Sequence, residues 1–318
     1  MDIDNKKQSI SIIIPAYNSC EIITELIEGI RDALIVFDGN YEVIYVLDGC
    51  KDQSFDTLSS LSLKYQWIKT VELSRNFGHQ AAISAGLKYA VGNRVVIMDD
   101  DLEDPPKVIP VLLSKIDEGF DIVYGIRKGR KRSIFYKVLF NVWYRILNTL
   151  TDVSMPYDSG DFCVLTRKVV NSLNKMPERN RYLRGMRTWL GYKSTGIEYE
   201  RGKRFAGKSG YSLIKYIKFG LDGIFSFSYK PLFFMSIFGI LISLGAIIYG
   251  TCLIIIKLFF FIIIDVPGWT SLMVVLALFS GIQLFSIGII GLYVSRVYDE
   301  AKDRPQFIIN RSIGFDDE

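Results

Sequence analysis

Residues 9–15 (SISIIIP) form a continuous apolar run of strand length, and Ile22, Ile23, Leu26, Ile27, Ile30, Leu34 and Phe37 follow it at helical spacing. A strand and then a helix are predicted. The rhythm returns with a strand over 41–47, a helix near 53–65, a strand over 68–73, a helix near 80–90 and a strand over 94–98. A helix over 106–118, a strand over 121–124 and a strand-like stretch at 162–165 continue it. Such alternation predicts an α/β unit whose mainly parallel sheet is covered by helices and binds ligands at the carboxyl ends of its strands.

From residue 231 the pattern changes. Residues 231–256 and 267–295 contain no charged side chain, and each run exceeds the roughly 20 residues that cross a bilayer core. Two spanning helices are expected, with Lys257 and Asp265 at the turn between them because a charge at mid-bilayer is costly. Lys203, Arg204, Lys208, Lys215, Lys218 and Lys230 precede the first run, Arg296, Lys302, Arg304 and Arg311 follow the second, and only Lys257 lies between. By the positive-inside rule both flanks are cytoplasmic. Residues 209–229 place Leu213, Ile214, Ile217, Leu221, Ile224 and Phe225 near one helical face with Lys215 and Lys218, which suits an amphipathic helix at headgroup level. The opening MDIDNKKQ has no apolar core, so no cleaved signal is expected and the first 200 residues should stay in the cytosol.

Composition narrows the chemistry. The 318 residues are 49% hydrophobic, oily for a soluble enzyme, and 38 Lys+Arg against 34 Asp+Glu leave a net charge of +4, too small to propose nucleic acid as the main partner. Cys20, Cys50, Cys163 and Cys252 lie far apart and His79 is the single histidine, which excludes a disulfide scaffold or a zinc cluster as a leading idea.

The unusual residues fall at predicted strand ends. Asp48, Gly49, Cys50, Lys51 and Asp52 form a polar turn suited to a ribose or base edge. Asp99, Asp100 and Asp101 repel one another at the end of an apolar strand, and a divalent ion bound through oxygen offsets that repulsion. In an extended segment Asp99 and Asp101 point the same way, making them the expected ligand pair for Mg²⁺ or Mn²⁺ on a diphosphate. Asp104, before Pro105 and Pro106, is expected to cap the next helix. Arg127, Lys128, Arg130, Lys131 and Arg132 form either a solvated basic face or a phosphate clamp. Asp158 and Asp161 bring two more carboxylates, one of them a possible base. His79 has no visible triad partner and reads as a surface or loop residue. Gly202, Gly207, Lys208 and Ser209 match the phosphate-loop spacing, but a polar segment precedes them and a membrane run follows, so the match reads as accidental.

Together these motifs resemble the polyprenyl-phosphate glycosyltransferases of glycosyltransferase family 2, which are related to dolichyl-phosphate mannose synthase. SIIIPAYN (Ser11 to Asn18), RNFGHQAAISAGL (Arg75 to Leu87), MDDDLEDPP (Met98 to Pro106), GDFCVLTR (Gly160 to Arg167), ERGKRFAGKSGYSL (Glu200 to Leu213), DGIFSFSYKPL (Asp222 to Leu232) and YDEAKDRPQFII (Tyr298 to Ile309) carry the likeness in order. The resemblance implies a Rossmann-like GT-A catalytic domain over 1–200, juxtamembrane amphipathic helices over 201–230, a two-helix transmembrane hairpin over 231–296 and a cytosolic tail over 297–318. It places Asp99 and Asp101 on the metal, with Asp100 beside them. Pro15, Tyr17, Asn18, Asp48 and Arg127 fall on the nucleotide-sugar donor. Asp161 becomes base or acceptor-positioning group, with Asp101 as the other catalytic carboxylate. Arg201 and Arg204 become candidates for the lipid phosphate, Lys208 is a further binding residue, and the resemblance implies a homo-oligomer, a tetramer in the family's manner. Two departures stand out. Leu47, Asp48, Gly49, Cys50 replace the common DDGS, removing one nucleoside-binding carboxylate, and Asp100 and Glu103 replace uncharged residues of DADLQ.

The implied reaction is inverting transfer of a hexose, UDP-glucose being the first donor, to undecaprenyl or another polyprenyl phosphate at the cytoplasmic membrane for cell-envelope glycans. A GDP-mannose-using enzyme, a processive transferase and a non-catalytic scaffold on the same fold are the alternatives. A phosphate monoester is already mostly ionised near pH 7, so positioning and charge neutralisation should carry more of the rate than a strong base.

Overall fold

The computed structural model describes residues 9–37, 39–128, 159–202, 228–260 and 268–315. The amphipathic segment read over 209–229 lies outside them as far as residue 227, as do Arg130, Lys131, Arg132, Asp158, Arg204, Lys208 and Asp265.

The apolar run at the start becomes β1 (Ser9–Ala16), flanked by β2 (Asn40–Leu47) and β4 (Arg94–Ile97), both parallel to it. Successive side chains of a strand face opposite ways. Ile12 and Ile14 therefore pack with Ile23, Leu26, Ile27 and Ile30 of α1 (Ile23–Ala33) and with Ile109, Leu112 and Leu113 of α4 (Ile109–Asp117). Ile13 packs on the other side with Ala82, Ile83 and Ala85 of α3 (His79–Tyr89). Each such isoleucine, fully buried, contributes about 1.5–3 kcal/mol. An Ile13→Ala cavity between sheet and α3 would cost roughly 2–5 kcal/mol.

α2 (Ser54–Lys64) leads to β3 (Ile68–Leu73), parallel to β2. A 3₁₀ turn (Pro106–Val108) precedes α4, and β5 (Ile122–Lys128), β6 (Ser159–Thr166), α5 (Arg167–Lys175), α6 (Leu183–Trp189) and β7 (Ser194–Glu200) complete the layer. The sheet order is β7-β5-β6-β4-β1-β2-β3-β8, with β8 being Ile309–Ile313. The expectation of a mainly parallel sheet holds for the central strands β3-β2-β1-β4 and fails at the flanks. There β6 runs antiparallel to both β4 and β5, and β8 antiparallel to β3. β5, reached from β4 through α4, keeps the direction of β4 and pairs parallel with β7, whereas β6 and β8 enter the sheet without such a crossover from the strand they pair with.

α7 (Lys230–Phe260) and α8 (Trp269–Ala301) carry the two long apolar segments, and both expose large side chains such as Phe234, Leu241, Ile248, Leu276, Phe285 and Ile290. Both are long and apolar enough to cross a membrane. α7 runs on through Lys257, which belongs to the helix rather than to the turn where it was expected. Past α8 the chain returns to the soluble layer. Glu300 accepts the Arg179 amide at 2.9 Å, Asp303 pairs with Arg179, Gln306 donates to the Glu178 carbonyl at 2.6 Å, and β8 docks on the outer edge of β3.

Candidate active site

Parallel alignment of β1, β2 and β4 brings the polar residues after each strand to one edge of the sheet. After β1, Tyr17 is half-exposed, and Asn18, with φ at 52°, accepts the Lys51 amide on its Oδ1 at 2.8 Å. The loops after β1 and β2 are thereby locked together. Pro15 lies buried within β1. Leu47, where the related enzymes carry a carboxylate, is fully buried in the core. Asp48 is buried too, and its two oxygens accept the amides of Phe77 and Gly78 at 2.7 and 2.8 Å. The Asp48 carboxylate thus shapes the loop that opens α3. Gly49 allows this, with φ at 66° and only 2.4 Å between a would-be Cβ and the Arg75 carbonyl carbon.

The acidic stretch after β4 is turned, not extended. Leu102 has φ at 58°, Asp101 Oδ1 accepts the Glu103 amide at 3.1 Å, and Asp100 leans toward Ser19 with its pKa raised by burial. The period-two argument for pairing Asp99 with Asp101 thus rests on a conformation the chain does not adopt. Asp104 differs from expectation as well. It is fully buried and caps no helix; instead it takes the Tyr199 hydroxyl and the Arg127 guanidinium, the latter at 3.1 Å. The register that sets Tyr199 beside Arg127 across β5 and β7 creates that triad. Arg127 also bonds the Tyr199 oxygen at 3.2 Å and stands 3.8 Å from Asp99, so this member of the basic run is committed to the acidic loop. Arg201 pairs with Glu103, and the Gly202 amide donates to the Glu103 carbonyl at 2.9 Å. A Cβ on Gly202 would meet the Leu102 carbonyl oxygen at 2.6 Å, a close backbone approach that explains this glycine without any phosphate loop.

Antiparallel pairing of Ile97 with Cys163 has a further consequence, because two residues beyond that pair Asp161 comes opposite Asp99. Asp161 is held by Arg184 of α6 in a two-pronged contact, Nε to Oδ1 at 2.7 Å and Nη2 to Oδ2 at 3.0 Å. His79 Nε2 lies 3.5 Å from Asp161 Oδ2 and 3.5 Å from Asp99 Oδ1. Burial works to raise the Asp161 pKa, but Arg184 and His79 outweigh it and hold the carboxyl well below the usual range. Asp99 moves the other way, to about 6, through burial and through the carboxylates of Asp161, Asp104 and Asp101, with His79 in partial opposition. Burial disfavours the charged form of His79, yet Asp161 and Asp99 raise it to about 9. His79 is therefore no idle loop histidine. Sequence reasoning reads His79 as a surface or loop residue and does not single out Arg184; the available signal is Asp161, a carboxylate in a motif with no cation assigned to it.

Strand-end carboxylates thus gather beside basic side chains at one end of a mixed α/β sheet, and the family of the chain gives that site its class. The model of Glycosyl transferase family 2 matches residues 11–173. The chain belongs to that family, as the sequence resemblance implied. It is 42% identical over 307 residues, 96% of this chain and 94% of the relative, to the uncharacterized glycosyltransferase YkcC of Bacillus subtilis (strain 168). It is 33% identical over 303 residues, 95% of this chain and 98% of the relative, to the prophage bactoprenol glucosyl transferase homolog of Escherichia coli (strain K12). Among solved structures, glucosyl-3-phosphoglycerate synthase from Mycobacterium tuberculosis in complex with Mn²⁺, UDP and phosphoglyceric acid overlaps 69% of this chain and 76% of its own, at 18% identity and a TM-score of 0.49.

Proposed function

We propose that the chain transfers glucose, with inversion, from a nucleotide sugar to a polyprenyl phosphate at the cytoplasmic membrane. In this reading residues 1–200 are the cytosolic catalytic domain, 201–230 lie at the membrane surface, 231–296 span it as a hairpin and 297–318 return to the cytosol. The observation that carries the reading is continuity: β7 runs along the acidic loop, fastens to it through Arg201 and Gly202, and leads directly into the segment before the first apolar helix. A phosphate carried at a membrane surface is then the acceptor within reach. The bactoprenol glucosyl transferase relatives, matched over nearly the whole chain, support the same choice of lipid and sugar.

Asp99 and Asp101 would hold Mg²⁺ or Mn²⁺. The residues fit such an ion: Asp99 Oδ1 is buried without a hydrogen-bond partner, and its proton affinity is raised by burial and by the neighbouring carboxylates, a crowding that a dication relieves. When bound, the ion supplies positive charge against the donor diphosphate. Tyr17 and Asn18, in the loop after β1, would contact the donor, while Asp48 fixes the loop that opens α3. Asp161 stays ionised under Arg184 and is a weak proton acceptor, so its role is to position rather than to deprotonate. An acceptor already ionised at neutral pH needs no stronger base.

Membranes containing the protein, incubated with labelled UDP-glucose and undecaprenyl phosphate and then extracted with organic solvent, test the proposal. Label must enter the lipid phase. Label remaining wholly aqueous, with UDP-glucose and with every other nucleotide sugar screened, refutes it.

A further inference from the structure

We propose that His79 binds the acceptor's phosphate, donating a hydrogen bond from Nε2 to one of its non-bridging oxygens. This assignment rests on the function proposed above and names the side chain that meets the lipid headgroup.

His79 stands between the two halves of the site. At 3.5 Å from Asp99 on the β4 side and 3.5 Å from Asp161 on the β6 side, it bridges the carboxylate assigned to the donor's ion and the one assigned to the acceptor. Three basic side chains face this cluster. Arg184 gives two short bonds to Asp161, and Arg127 is bound to Asp104 and Tyr199, with side chains 27% and 18% exposed. His79 is 42% exposed, and its contacts exceed the 2.7–3.2 Å of a well-made N–H···O bond. Among the described residues it is the most exposed of these three, and the one whose nearest contact to the cluster is longest.

The acceptor makes such a donor necessary. A phosphate monoester near neutral pH carries about −1.5 to −2 charges, and Asp161, kept anionic by Arg184, would repel it unless an N–H lies between them. Nε2 of His79 occupies that position. Its N–H exists in the imidazolium and in one neutral tautomer, so the contact does not depend on the ring's charge. His79 also opens α3 after Gly78, a helix start with no side-chain cap, so the local backbone dipole favours an anion there. In the transfer step a phosphate oxygen forms the bond to the anomeric carbon. The bond from that carbon to the diphosphate oxygen breaks, and its electron pair leaves with the nucleoside diphosphate. His79 retains its proton throughout.

The test compares full-length wild type with His79→Ala and His79→Gln, titrating polyprenyl phosphate at saturating UDP-glucose and then UDP-glucose at fixed acceptor. Loss of a hydrogen bond to a charged group predicts an acceptor KM raised roughly tenfold to a hundredfold in His79→Ala. The donor KM should move less than about threefold. His79→Gln, whose side-chain amide reaches a similar position, should recover part of the acceptor affinity. An unchanged acceptor KM in His79→Ala, a donor KM that rises in parallel, or a Gln variant no better than Ala overturns the assignment. If His79→Ala does not fold, His79→Asn, polar but shorter, replaces it in the comparison with Gln. A wild type that transfers nothing to lipid phosphate fails earlier, and that result strikes the proposed function rather than His79 alone.

Discussion

Replacing Arg184 by Met removes both bonds to Asp161 and leaves a carboxylate only 11% exposed with His79 as its remaining charged neighbour at 3.5 Å. Breaking a buried pair from one side costs about 3–5 kcal/mol, because the surviving charge stays desolvated. His79 places the expected loss near the low end, about 3 kcal/mol. For a domain of this size that corresponds to roughly 6–12 °C in Tm. Asp161→Leu added to Arg184→Met removes the stranded charge, and the double variant should regain most of the loss, ending within about 1.5 kcal/mol of wild type. Lipid transfer should fall in both, since neither retains an oriented Asp161. Denaturant unfolding of the purified full-length variants measures the stability, and the solvent-extraction assay measures the activity. A single variant losing less than about 1 kcal/mol would place the pair among exposed ion pairs of little worth. A double variant no more stable than the single would show that the stranded charge was not the cause.

Asp99→Ala or Asp101→Ala should each lower transfer by about a hundredfold or more, in the manner of lost electrostatic stabilisation, and chelation of wild type should do the same until Mn²⁺ or Mg²⁺ is restored. Gly202→Ala drives a methyl against the Leu102 carbonyl and should displace the acidic loop at a cost of about 1–3 kcal/mol, read as a lower Tm with a higher donor KM. Glu72 fastens β8 through Arg311 and Asn310; burial works to raise its pKa, but those two partners lower it below the ordinary 4.5. Its folded pKa being depressed, that support is complete above 4.5 and is lost as pH falls through the lowered value. Hydrogen exchange at the β8 amides should therefore be slow at neutral pH and accelerate in acid, and in Arg311→Ala it should already be fast at pH 7.

The parts of the fold legible in sequence are those whose burial is continuous. β1, β2, β3 and β4 are sandwiched between helices on both faces, and their unbroken Ile, Val and Leu runs announce it. β7 (STGIEYE) and β8 (INRSI) are edge strands with charged residues facing water, and such segments carry no apolar run to find. The site divides similarly. Three adjacent aspartates are conspicuous in any reading, whereas the positive φ of Leu102, which turns them, is a local backbone choice with no glycine to mark it. Asp104 resembled a cap because Pro105 and Pro106 follow it, and only the β5–β7 register shows that Arg127 and Tyr199 claim it first. Arg184 escapes notice and His79 reads as a surface or loop residue because their partners arrive through strand pairing, from positions remote in the chain.

The edge strands that were invisible in sequence also brace the layer that carries the site. β7 and β8 occupy the two outermost places of the sheet; in chain order β7 comes before α7, and β8 follows α8. An edge strand contributes a ladder of backbone hydrogen bonds on one side, so each strand is fastened to the layer along its length. The ties reach the chemistry unequally. At the β7 edge Tyr199, Arg201 and Gly202 contact Asp104, Glu103 and Leu102 themselves, whereas at the β8 edge Arg311 and Asn310 hold Glu72, on the strand farther from the acidic loop. A disturbance entering through β7 should therefore alter donor binding directly. One entering through β8 should loosen the layer and leave the acidic loop's own contacts intact.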